Sequence, residues 1–212
     1  MIIHTLVVGL MQACCYVAAC EKTSRAVIID PGGEPERIIG LVEHEKLEPA
    51  LIVDTHGHAD HIAANAEIKA RFADAPLVVH EFDAAMLGDP HANLSAMFGV
   101  PIHSPPPDRT LADGDTVGVG EEQLSVIHIG GHSPGSICLY APGNDKGKGV
   151  LFSGDTLFAG GIGRTDFPGG SHQELIEGIR GKLLLLPAET VTYPGHGPAT
   201  TLGEEARSNP FL

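Results

Sequence analysis

Thr55-His56-Gly57-His58-Ala59-Asp60-His61 places three imidazoles and one carboxylate within the six positions from His56 to His61. Such a cluster has no packing reason to exist, and its lone pairs and charge favour a cation in their midst. Zinc and iron take imidazole nitrogen and carboxylate oxygen at roughly 2.0–2.2 Å, with three or four protein ligands each. His56 and His58 are two apart, so in extended backbone they point the same way. Asp60 and His61 fall at the start of the next predicted helix and can face a second position. Gly57 and Ala59 are small and let the chain turn tightly between the ligands. The run cannot complete two sites alone. His132, Asp155 and His196 each lie just beyond a predicted strand and are the natural additional ligands. A carboxylate such as Asp155 can bridge two cations, which imidazole cannot.

Working outward, short β-prone runs are expected at Ile2–Val8, Cys14–Cys20, Ala26–Asp30, Leu51–Val53 and Leu77–Val79, then at Leu124–Ile129, Ser136–Tyr140, Val150–Ser153 and Val191–Tyr193. Helices are expected over Glu34–Leu47, Ile62–Phe72, a short stretch ending near Leu87, and Ser171–Leu184. Ser171 with Glu174 three positions on makes a capping box for the last of these. Four strands end in a loop bearing His or Asp: after Val53, Ile129, Ser153 and Tyr193. Strand ends gathered at one sheet edge are where α/β proteins build sites. The other histidines (His4, His44, His80, His91, His103, His128 and His172) read as solvated side chains.

The chain has 212 residues, enough for one well-buried domain. Lys+Arg 13 against Asp+Glu 27 gives a net charge of −14, which argues against a nucleic-acid partner or an anionic membrane surface. No apolar run is long enough to span a bilayer. The N-terminus lacks the basic and continuous apolar regions of a signal peptide. Cys14, Cys15, Cys20 and Cys138 form no C-x-x-C pair and read as free thiols, so a cytoplasmic location is expected. The sequence sets no oligomeric state.

The run Thr55–His61 resembles the signature of the metallo-β-lactamase fold superfamily. Gly131-His132-Ser133-Pro134-Gly135-Ser136, Phe152-Ser153-Gly154-Asp155 and Pro194-Gly195-His196-Gly197 follow in that family's order, and Asp30-Pro31-Gly32 matches its early strand end, where the Asp supports the ligands. Gly163-Arg164-Thr165-Asp166-Phe167 and the tail Asn209-Pro210-Phe211-Leu212 are most similar to short glyoxalase II-like proteins. The resemblance implies an α/β fold of the αββα sandwich type, two mixed sheets flanked by helices, spanning 1–212 as a single domain. It implies a first metal on His56, His58 and His132, a second on Asp60, His61 and His196, and Asp155 bridging them. The expected cofactors are two divalent metal ions, zinc and/or iron, with manganese also compatible.

By that likeness the expected activity is hydrolysis of S-acylglutathione or another small thioester by a hydroxide bridging the metals, with Asp60 orienting or deprotonating the water. The leaving thiolate needs little acid assistance. Arg164 is expected to touch the anionic part of the substrate and Phe167 to line the same pocket. Full-length glyoxalase II carries a helical C-terminal domain that grips glutathione; only sixteen residues follow His196 here, so that domain is expected to be lacking. The alternative is a mononuclear iron persulfide dioxygenase using His56, His132 and Asp155, since those enzymes share the Gly-Arg-Thr-Asp-Phe run. Their loop at the His196 position resembles Ala-His-Asp-Tyr, whereas this chain has Pro194-Gly195-His196-Gly197. A β-lactamase is disfavoured because Asp155 is a bridging-type carboxylate, and a metal-stabilised module without catalysis leaves the surplus of ligands unexplained.

Two decoys are set aside. Gly131-His132-Ser133-Pro134-Gly135 matches the G-x-S-x-G nucleophile elbow, but the residue after the serine must donate its backbone N–H, and Pro134 has none. The stretch from Gly143 to Gly149 has the wrong glycine spacing for a phosphate loop and reads as a hairpin turn.

Overall fold

The computed structural model describes residues 1–143 and 148–212. The hairpin turn expected near Gly143–Gly149 falls largely on 144–147, outside the described residues. The elements are, in order, β1 (Ile2–Val8), β2 (Ala13–Ala19), β3 (Arg25–Ile29), α1 (Pro35–His44), β4 (Glu48–Val53), α2 (Ala59–Ile62), α3 (Asn65–Arg71) and β5 (Leu77–His80). Then come β6 (Arg109–Leu111), β7 (Thr116–Val119), β8 (Glu122–His128), β9 (Ile137–Ala141), β10 (Val150–Gly154), β11 (Leu157–Phe158) and β12 (Gly161–Ile162). The chain closes with α4 (His172–Gly178), β13 (Val191–Pro194), β14 (Thr200–Thr201) and α5 (Leu202–Ser208).

Strands β1 to β6 form one six-stranded sheet in sequential order, and a second runs β14-β13-β10-β9-β8-β7. Both are mixed. In the first, β1, β2 and β3 pair antiparallel and β3 to β6 parallel. In the second, β10 and β13 pair in parallel while the other pairings are antiparallel.

The sheets face one another across a core of Tyr16, Val27, Ile29, Val53 and Val78 from the first and Val117, Leu124, Ile137, Leu139 and Phe152 from the second. The outer face of the first sheet buries Val17, Ile28, Ile52 and Val79 against Ile38, Val42, Ile62 and Ile68 of the helices. The outer face of the second buries Cys138 and Leu151 against Leu175, Ile179, Leu183 and Leu202. The result is the expected four-layer αββα sandwich. Central strands covered on both sides bury every residue, as β2 does, and therefore read as continuous apolar runs with no alternation. The Tyr16 hydroxyl donates to the Pro194 carbonyl at 2.5 Å, tying the two sheets beside the His196 loop.

Several local expectations are corrected. The helix expected over Ile62–Phe72 is two short helices, α2 and α3. The one expected over Ser171–Leu184 is α4, capped by Ser171 as anticipated, followed by a turn of π-helix over Ile179–Leu183. The stretch ending near Leu87 is turns and a single 3₁₀ turn, Met86–Gly88. Strands β6, β7, β11, β12 and β14 and helix α5 add to the expected set. His80, expected in solvent, is buried and stacks on His128 with ring centroids 4.1 Å apart. All four cysteines are free and buried, and no described helix is long and apolar enough to cross a membrane.

Candidate metal centre

The four chain segments anticipated to carry ligands leave one edge of the sandwich. His56, His58, Asp60 and His61 follow β4 of the first sheet; His132 lies between β8 and β9, Asp155 after β10 and His196 after β13 of the second. Because β10 and β13 run parallel side by side, Asp155 and His196 emerge at adjacent strand ends. Gly195 is what allows the two segments so close together: a Cβ there would stand 2.1 Å from Asp155 Oδ1.

The seven side chains converge. His58 Nδ1 and His56 Nε2 lie 2.9 and 3.2 Å from His132 Nε2. Asp60 Oδ2 lies 3.2 Å from His196 Nε2 and 3.7 Å from His61 Nε2. Asp155 stands between these groups, with Oδ1 3.4 Å from His61 Nε2 and Oδ2 3.6 Å from the Nε2 atoms of both His132 and His196. The ligand atoms of His56, His58 and His132, of His56, His61 and Asp155, and of Asp60, His61 and His196 form three sets, each within 4.8 Å.

Ring orientation is fixed from behind. His132 Nδ1 donates to the Arg164 carbonyl at 2.8 Å, so its Nε2 presents a lone pair to the cluster. His61 Nδ1 donates to Asp30 Oδ2 at 3.0 Å. Asp30 in turn accepts from the Thr55 N–H and hydroxyl at 2.6 and 2.7 Å, and the same hydroxyl lies 3.1 Å from His56 Nδ1. Asp30, which adopts a left-handed φ of 52°, thus supports the ligands as its sequence position suggested.

The cluster fits divalent cations. His61 Nε2 and Asp155 Oδ1 are buried with no hydrogen-bond partner, a costly state for polar atoms that a cation relieves. Burial, reinforced by neighbouring imidazoles, pushes His58 down to about 3 and His56 well below its ordinary value, so both are neutral as ligation requires. Burial would raise Asp60 and Asp155, but the imidazoles, His61 foremost, hold both below the usual carboxylate range. Burial would lower His61 and His196, yet the facing carboxylates raise both.

A family model, the metallo-beta-lactamase superfamily, matches residues 8–196. The chain belongs to this superfamily. Hydroxyacylglutathione hydrolase GloC of Haemophilus influenzae is 39% identical over 208 residues, covering 97% of this chain and 95% of that protein. Among solved structures, the B3 metallo-beta-lactamase BLEG-1 aligns at TM-score 0.93 and 39% identity over 100% of this chain and 99% of that one. TTHA1623 in a di-iron-bound form aligns at 0.86 and 38%, covering 99% and 100%. ETHE1 from Myxococcus xanthus aligns at 0.80 and 30%, covering 99% and 84%.

In this superfamily member the remaining anticipated residues sit at the rim of the centre. Phe167 packs edge-on against His58, ring centroids 5.7 Å apart. Arg164 lies over Phe167, its guanidinium carbon 4.2 Å from the ring centroid, and is paired with both carboxylate oxygens of Asp166 at 2.9 and 2.8 Å. The Arg164 side chain is exposed, while its main-chain carbonyl holds His132. That carbonyl contact carries no signal in a side-chain reading. Ser133 is buried and donates to Asp83 at 2.6 Å, so it is not poised as a nucleophile.

Proposed function

We propose that this chain is a metal-dependent hydrolase of small thioesters, S-acylglutathione among them. What carries the reading is the convergence of seven ligand-type side chains, two groups of three with Asp155 lying between them, more donors than one ion needs. His56, His58 and His132 would hold one cation and Asp60, His61 and His196 the other. Two cations so placed supply an activated water near neutral pH and charge stabilisation for a developing oxyanion.

The chain's own residues account for the rest. Asp60, partly exposed and held ionised by His61 and His196, would orient the attacking water by accepting a hydrogen bond from it. Phe167 makes an apolar wall beside His58. Arg164, in an exposed ion pair of little intrinsic strength, can exchange Asp166 for a substrate carboxylate. The thiol leaving group, with a pKa near 8.5, departs as thiolate without a positioned acid. The likeness to GloC supports this substrate class.

The second reading, a mononuclear iron dioxygenase, draws support from the likeness to ETHE1 and from His56, His132 and Asp155 lying close enough to share an ion. Against it stands the second group, which a single iron leaves without a role.

The test is metal analysis of protein purified without chelator, followed by rates on S-lactoylglutathione, on a cephalosporin β-lactam, and oxygen uptake on glutathione persulfide. The expected result is about two metals per chain and thioester turnover above the other two. One metal per chain with oxygen consumption and no thioester cleavage would establish the dioxygenase reading. Turnover of the β-lactam alone would assign the site to lactam hydrolysis.

A further inference from the structure

The turn after β5 carries a buried carboxylate that the metal centre does not use. Asp83 has no solvent exposure, and its partners are neutral donors. Oδ2 accepts from the Gly57 N–H at 2.9 Å and from the Ser133 hydroxyl at 2.6 Å, and Oδ1 accepts from the Gly135 N–H at 2.6 Å. Ser136 extends the chain: its hydroxyl donates to Ser133 Oγ at 2.6 Å and accepts from the Ser133 N–H at 3.1 Å.

Where these donors sit is the point. Gly57 lies between His56 and His58, Ser133 directly follows His132, and Gly135 is two residues further on. One carboxylate therefore ties together the two loops, from different sheets, that bear the His56, His58 and His132 group. The fit is close: a Cβ on Gly135 would stand 2.7 Å from Asp83 Cγ and Oδ1. All three donors require acceptors, which an ionised carboxylate supplies on both oxygens. An amide would have to turn its NH₂ toward at least one of the backbone N–H groups.

We propose that Asp83, acting through Gly57 and Ser133, is a positioning residue that presets His56, His58 and His132 in ligating geometry before the first cation arrives. A mere staple of the fold would change stability and leave metal affinity alone. The inference rests on the metal reading above and deepens it, assigning the affinity of one of the two sites to a residue that touches neither ion.

The test is zinc affinity of metal-stripped protein, measured by competition with a chromophoric chelator, alongside thermal melts of the same samples. Wild type is compared with Asp83→Asn, with the milder Ser133→Ala, and with Glu205→Gln, a buried carboxylate remote from this group. The expected result is a loss of about 10–100-fold at one of two zinc sites for Asp83→Asn. Ser133→Ala should weaken the same site by a smaller factor, and Glu205→Gln should lower the melting temperature without moving that affinity. Zinc affinities within about threefold of wild type for both Asp83→Asn and Ser133→Ala, whatever their melting temperatures, would overturn the proposal. If Asp83→Asn fails to fold, Ser133→Ala decides by the same criterion. A wild-type protein that binds no zinc would overturn the metal reading and the proposal together.

Discussion

The carboxylate of Asp30 meets Nδ1 of His61 at 3.0 Å across thirty-one positions of sequence, with both side chains buried. The contact orients His61 so that Nε2 faces Asp60 and Asp155, and its charge keeps the imidazole electron-rich. Under the proposed ligand sets, Asp30→Ala should therefore weaken the second metal, the one assigned to Asp60, His61 and His196, by about 10–100-fold, and the first, whose His56 Asp30 reaches only through Thr55, by a smaller factor. Metal stoichiometry under graded chelator checks this: loss of both metals in parallel would mean that Asp30 serves the fold, not the ligand.

Acid should destabilise the metal-free protein through His58. Its folded value is about 3, against an ordinary value of 6.5. Between these values the unfolded chain takes up a proton that the folded chain refuses. The His58 contribution is thus intact above about pH 6.5 and is lost as pH falls toward 3. His61, raised in the fold, acts oppositely: its contribution is present below its unfolded value and is lost as pH rises through its folded value. Melting temperatures of metal-stripped wild type and His58→Gln at intervals from pH 7 to 4 separate the two. The variant should lose less over that window, and equal slopes would refute the assignment.

Arg164 and Asp166 should have opposite effects on an anionic thioester. Arg164→Ala removes the cation at the rim and should raise KM about tenfold, the size of a lost charge-assisted hydrogen bond. Asp166→Asn frees the guanidinium from its carboxylate partner and should lower KM. Both are read from steady-state kinetics at saturating metal. A KM unmoved by either change would leave Arg164 as an exposed ion-pair partner whose working part is its carbonyl.

Glu205 should matter for stability although it lies on the final helix. It is buried and accepts from the Gly160 N–H at 2.9 Å, the Thr200 hydroxyl at 2.6 Å and the Asn209 amide at 2.7 Å. It thereby anchors the β11–β12 hairpin, whose Phe158 approaches His196. Glu205→Ala strands these donors and should cost about 1–3 kcal/mol in chemical denaturation. A change below about 0.5 kcal/mol, the level of ordinary surface substitutions, would count against the anchor.

The layered fold and the metal-binding character of the edge were legible because their signals are dense and local. Four ligand-type side chains within His56–His61 need no tertiary information to be noticed. His132, Asp155 and His196 are single residues; strand-end placement and likeness to a family made them readable. Asp83 is one acidic residue in a turn, and Arg164 supports His132 through a main-chain atom, so neither leaves a pattern. The α5 helix did leave one, since Thr201 caps Glu204 as Ser171 caps Glu174, but glycine and proline before it masked the start. His80 misled because loneliness in sequence says nothing about stacking on His128 from the other sheet.

The unequal distribution of ligands along the chain bears on refolding. His56, His58, Asp60 and His61 remain neighbours in an unfolded polypeptide, whereas His132, seventy-six positions further along, joins His56 only after the chain between them is organised. Excess zinc present from the start can therefore chelate the denatured chain at the local cluster, where it stabilises the wrong state and offsets part of what it contributes to the native one. Metal supplied after the sandwich has closed meets all seven donors at once. Recovery of native protein from denaturant should accordingly be faster when the cation is withheld until the end.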